Sequence, residues 1–154
     1  MADIALFFHL LGALLFVAGI VLAASAFETA RRRERPAEVA LLLGLSRLGA
    51  GLVAVGGLLL PVFGLWLVQL GHFGYGSGWV DAAIALYVAA LLLGGLGGRR
   101  PKQARRLATR LAHEHAEMSD QLRALLDDRT SRAANYGSIT IVLTILVLMV
   151  FKPS

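Results

Sequence analysis

Residues Ile4–Phe27 read IALFFHLLGALLFVAGIVLAASAF, and Glu28-Thr29-Ala30-Arg31-Arg32-Arg33-Glu34-Arg35 follows at once. The first run holds no Lys, Arg, Asp or Glu. It is longer than the about 20 apolar residues needed to cross a hydrocarbon core ~30 Å thick. Basic residues flanking a membrane span stay on the cytoplasmic side. This one junction therefore indicates both the class of protein and the direction of its first span.

Further along the chain, Leu48–Leu70 and Ala133–Phe151 are equally free of charge, and Trp79–Gly98 carries only Asp81, near its start. All but one of the 15 Lys and Arg residues fall within Arg31–Arg47 and Arg99–Arg132, the exception being Lys152. Those blocks occupy the first and third connections, whereas Gly71–Gly78 has no Lys or Arg. The expected topology has both termini outside and both basic connections in the cytoplasm. Each span must satisfy its own N–H and C=O groups in lipid, which makes it a helix. The spans also lack the period-two alternation of barrel strands. The expected fold is all-α, a four-transmembrane-helix bundle forming a single integral membrane domain over 1–154.

Composition agrees. With 154 residues and 57% hydrophobic content, the chain is too short to wrap four such helices inside a soluble core. A mean hydropathy of +0.70 points the same way. The pI of about 10.4 invites a nucleic-acid reading, but span-flanking charge accounts for it, and no nucleic-acid partner is expected. The absence of cysteine excludes disulfides, thiolate metal sites and Cys nucleophiles. Ala24-Ser25-Ala26 resembles a signal-cleavage site, yet only acidic Asp3 precedes the apolar run, so a retained span is expected.

Local signals add detail. Pro36 should open a helix that runs through Val39–Leu45 into span two, and Pro61 removes a backbone donor inside that span and should kink it. His72–Gly78 reads as a tight interfacial turn, with Trp66, Tyr75 and Trp79 as an outer aromatic belt. In Pro101–Asp128, the residues Ala104, Ala108, Leu111, His115, Met118, Leu122 and Leu125 recur at four- and three-residue steps. That spacing predicts one amphipathic cytoplasmic helix about 40 Å long, lying on or folding against the inner ends of the spans. A partner-binding coiled coil is the weaker reading, because the two alanines make a poor seam.

Among residues that could carry chemistry, His9 stands out, about two turns inside span one, where ionisable groups are costly and often functional. The stripe His9, Gly12, Phe16, Gly19, Ala23 puts it on a face of small residues that should point into the bundle. One reading is a neutral imidazole bonded to a neighbouring helix, the other a cofactor or metal ligand. His72 closes span two on the same outer side, and two imidazoles can ligate haem iron or copper. Arg47 either snorkels to headgroups or turns inward to a propionate, a lipid phosphate or Glu28, which is close in depth. These two form a candidate inner-side polar pair.

Other polar features carry less. His113-Glu114-His115 with Glu117 lacks the His-Glu-x-x-His spacing that sets two imidazoles on one helix face, and reads as a solvated surface. Asp81 suits the first turn of span three. Asn135, Ser138, Thr140 and Thr144 can bond between helices or to their own backbone. Gly94-Gly95-Leu96-Gly97-Gly98 contains a G-x-x-x-G packing pair and no phosphate loop. No Ser-His-Asp or paired-carboxylate constellation is visible.

Phe8–Gly19, Gly64-Leu65-Trp66-Leu67 and the closing Leu148-Met149-Val150-Phe151-Lys152-Pro153 together resemble a bacterial family of predicted integral membrane proteins, domain of unknown function 2269. The resemblance covers nearly the whole chain. That family looks distantly similar to the copper-resistance D membrane domain and to haem-b-binding protoporphyrinogen oxidases. By that resemblance His9 matches a first-helix haem ligand. It departs from the relatives' aromatic-x-Gly pattern at Phe16-Val17-Ala18-Gly19. The resemblance implies a bacterial inner-membrane protein, haem-b-binding or redox-associated through His9, to which the position of His72 adds a candidate second ligand. A non-catalytic partner or scaffold subunit, in a homo-oligomer or with another membrane protein, is the second expectation. Metal transport or tolerance is the third.

Overall fold

The computed structural model describes residues 1–70 and 78–151. Six helices follow in order: α1 (Ala2–Arg31), α2 (Pro36–Leu70), α3 (Gly78–Gly97), α4 (Arg99–His113), α5 (Asp120–Leu126) and α6 (Arg129–Phe151). Four helical stretches, beginning at Ala2, Pro36, Val80 and Asp120, are long and apolar enough to cross a membrane. The all-α, four-span expectation therefore holds.

The 30 residues of α1 and 35 of α2 reach about 45 and 52 Å at 1.5 Å per residue. Both outrun a ~30 Å hydrocarbon core. α2 opens on Pro36, a residue suited to the first helical position, where its missing N–H leaves no bond unmade.

The long helices pack as two pairs, α1 on α2 and α3 on α6, with sparse contact between the pairs in the apolar zone. Lipid is as apolar as leucine, so helices in it associate through shape and polar contacts. In α1 and α2 the shape comes from glycine. A Cβ on Gly19 would lie 2.6 Å from the Gly49 carbonyl oxygen, and one on Gly56 would lie 2.6 Å from that of Gly12. Only hydrogen at these positions lets the two backbones touch. Gly12, Phe16 and Gly19 are buried, so the α1 stripe faces inward as its spacing implied. In α3 the close contacts are made by Gly97 against Ala134 and Gly94 against Ser138, while Gly95 meets open space. Of the Gly94–Gly98 G-x-x-x-G pair only Gly94 approaches α6, since a Cβ on Gly98 would meet just the carbonyls of Gly94 and Gly95.

The densest core lies at the end that carries the basic blocks. Ala30, Val39, Leu43, Ala104, Ala108, Leu122 and Leu126 bury one another there, joining α1, α2, α4 and α5. Helices that project past the bilayer meet water, so the hydrophobic effect acts on them. Each fully buried leucine adds about 1.5–3 kcal/mol.

The single amphipathic helix expected over Pro101–Asp128 is not formed. α4 stops at His113, and α5 starts only at Asp120. His115 adopts φ 52°, a left-handed conformation in which Asn, Asp and His are the commonest non-glycine residues. The N–H of Ala116 then donates to Leu111 O and that of His115 to Ala112 O, the paired bonds of a Schellman end. Ser119 begins the next helix by accepting the N–H of Leu122 at 3.2 Å. Folding back lets both short apolar faces reach one core, which a straight 40 Å rod would not allow.

Candidate functional site

His9 lies half-buried on α1, at the end away from the basic blocks. Its Nδ1 is 3.0 Å from the carbonyl oxygen of Leu60 on α2. A carbonyl only accepts, so Nδ1 carries the proton, and in the neutral ring Nε2 keeps a free lone pair. Gly64 makes the room: a Cβ there would stand 3.0 Å from His9 Cε1. Phe8 stacks on Phe63 with centroids 4.8 Å apart, and Phe63 tilts against Trp66 at 6.0 Å. His9 is therefore a hydrogen-bonded interhelical imidazole set beside an aromatic cluster. His72 and Tyr75 lie outside the described residues, so the His9–His72 pair has no geometry to report.

Pro61 sits just below this site, within a helix that runs on unbroken to Leu70. Proline removes the N–H that would bond the carbonyl four residues earlier, which is that of Gly57. The Tyr87 hydroxyl, from α3, donates to that same Gly57 oxygen. A neighbouring helix thus satisfies the acceptor that Pro61 orphaned, as membrane helices require. This bond crosses from the α1–α2 pair to the α3–α6 pair. Tyr87 was not anticipated from sequence, although the position four residues before an intramembrane proline marks a carbonyl that needs a donor.

Toward the basic end the two pairs part around a cleft of about 1130 Å³. Phe16, Leu58, Tyr87 and Ala90 line its deep part, and Arg32, Arg47, Lys102, Arg105 and Arg132 its mouth. Glu28 and Arg47 both border it, but the structure does not bring them together as an ion pair. Glu28 is held instead by Arg31, whose Nη1 donates to its two oxygens at 2.9 and 3.1 Å. Arg31 also reaches Asp127 at 2.9 Å, and Arg123 donates to the Arg31 carbonyl at 3.2 Å. The hydrogen bond that Arg31 donates to Asp127, with Glu28 adding to it, raises the Arg31 pKa further against the opposing effect of burial. Arg31 ties the end of α1 to the end of α5, a junction the sequence reading missed.

The remaining polar residues serve structure. His113, Glu114 and Glu117 are exposed at the α4–α5 turn, and Glu114 pairs with Arg110 at 3.0 Å. No group of three His, Cys, Asp or Glu residues converges among the described residues. Asp81 occupies the first turn of α3. Ser138 donates across to Ala90 O at 3.4 Å, while Thr140 and Thr144 bond back along α6. Asp128 caps α6 by accepting the Ser131 N–H at 2.9 Å, which holds its carboxyl below the usual range.

Set against known proteins, residues 3–153 match the family model described as "Predicted integral membrane protein (DUF2269)". Neither the comparison with curated proteins nor that with solved structures returned a match.

Proposed function

This chain belongs to the DUF2269 family of predicted integral membrane proteins, and from that premise we propose a multi-pass protein of the bacterial inner membrane that holds haem b through His9. The observation that carries this reading is the His9 Nδ1 bond to Leu60 O. Imidazoles that ligate metals commonly donate their other nitrogen to a backbone carbonyl, which fixes the tautomer and raises the basicity of the ligating atom. Here that leaves Nε2 as the nitrogen that would hold the iron. Gly64 gives the ring its seat, and Phe8, Phe63 and Trp66 supply an apolar, aromatic setting.

His72, two residues beyond the end of α2 in the sequence, is our choice for a second residue that would hold the haem. The described residues of this end include Asp3 and Asp81 but no Lys or Arg side chain, so the propionates would face interfacial water rather than a cation. Bound haem would supply one-electron redox chemistry. The chain's own part is to orient one imidazole and keep the site dry. The positive-inside bias orients the molecule with the basic end in the cytoplasm and both termini outside; a reporter at Gly74 should therefore read as external.

A second reading, a non-catalytic partner or scaffold subunit, draws support from Gly44 and Gly51 of α2, which face open space. Purification of the full chain in mild detergent, with an optical spectrum and metal analysis, separates the two. The haem reading expects a Soret band in the wild type that His9→Ala removes while the helical circular dichroism persists. A colourless, metal-free protein that co-purifies with a fixed partner would favour the scaffold.

A further inference from the structure

The cleft between the helix pairs has dimensions and charge that the haem reading does not use. Its α1 wall runs from Phe16 to Thr29, about 20 Å at 1.5 Å per residue. One leaflet of a ~30 Å hydrocarbon core is about 15 Å deep. The cleft therefore spans a single leaflet, with apolar walls in the hydrocarbon and cations at headgroup level. A volume of about 1130 Å³ exceeds the ~300–1,000 Å³ usual for small-molecule pockets. The few contacts between the pairs leave the apolar part open to a molecule entering from the bilayer.

Flanking charge alone would be expected of any such protein. Two further facts distinguish this mouth. Among the described residues, none of Arg32, Arg47, Lys102, Arg105 and Arg132 has a carboxylate within ion-pair distance, and the cleft's own acid, Glu28, is taken by Arg31. The Nε of Arg132 is buried with no hydrogen-bond partner. A buried guanidinium N–H without an acceptor is costly, and a phosphate oxygen would satisfy it with a charge-assisted bond.

We infer that this cleft seats one anionic phospholipid from the leaflet at the basic end, its phosphate on Arg132 and Arg47 and an acyl chain between the α1–α2 and α3–α6 pairs. Basic pockets between membrane helices are known sites for anionic headgroups.

Native mass spectrometry of the detergent-solubilised full chain tests this, with dioleoyl phosphatidylglycerol, dioleoyl phosphatidylcholine and inorganic phosphate as probes. The phosphatidylglycerol should bind about tenfold more tightly than the phosphatidylcholine, and phosphate alone should not compete. Arg47→Gln with Arg132→Gln should abolish the preference, while Arg106→Gln with Arg110→Gln, an equal charge change outside the cleft, should keep it. Ala54→Phe, which fills the exposed apolar wall and leaves every cation in place, should weaken phosphatidylglycerol binding. Equal binding of the two lipids, competition by phosphate, or an Ala54→Phe variant that binds like the wild type would each overturn the inference.

Discussion

A single hydroxyl shows how this bundle tolerates a proline in its longest span. Pro61 leaves Gly57 O without its helical donor, and Tyr87 supplies one from another helix. Tyr87→Phe should cost about 0.6–1.7 kcal/mol in reversible unfolding in bicelles, the scale of hydrogen bonds between membrane helices. Combining it with Pro61→Ala, which restores the intrahelical donor, should make Tyr87→Phe nearly neutral in a double-mutant cycle. An unchanged cost in the cycle would contradict the pairing. Asp128 offers a test in pH. Its carboxyl titrates lower in the folded chain because it accepts the Ser131 N–H. A depressed folded pKa means that the cap is fully formed above the ordinary Asp value of about 3.9 and is lost as pH falls below it. Hydrogen exchange at the Ser131 amide, corrected for intrinsic rate, should therefore lose protection on acidification in that window. Asp128→Asn should flatten the response.

At the scale of elements, what the sequence made legible follows from what each solvent demands. Four spans could be read because lipid excludes charge from them. The inward stripe of α1 could be read because close approach in lipid needs small residues, which recur visibly at Gly12 and Gly19. Gly19→Leu should separate α1 from α2, lowering the thermal unfolding midpoint sharply, whereas the same change at Gly51, which meets open space, should leave it nearly unchanged. The break between α4 and α5 was not legible from period. Both short helices turn apolar residues to one core, so the three-and-four spacing carries on across the bend. Neither Gly nor Pro marks the bend; His115 takes the left-handed position, and the cap at Ser119 went unread. At the candidate site, the face of His9 could be inferred, but its Leu60 partner could not. A backbone carbonyl has no signature in the sequence, and its register across α1 and α2 is set by glycine contacts, Gly12 against Leu59 and Leu60 among them, that exist only in the folded pair.

At the scale of the molecule, two helix pairs are joined at the basic end by α4 and α5 and within the apolar zone by the Tyr87 bond. This division separates an imidazole at one end from a cation-rimmed cleft at the other. Between His9 and the deepest α1 residue of the cleft, Phe16, lie about 10 Å of helix. The proposed haem ligand at one end and the proposed lipid seat at the other should then work as independent sites. The most direct test measures haem and bound phosphatidylglycerol on the same preparations of wild type, His9→Ala, and Arg47→Gln with Arg132→Gln. The wild type should carry both, His9→Ala should lose haem and keep lipid, and the arginine variant should do the reverse. Loss of both ligands from either variant, or their absence from the wild type, would contradict this expectation.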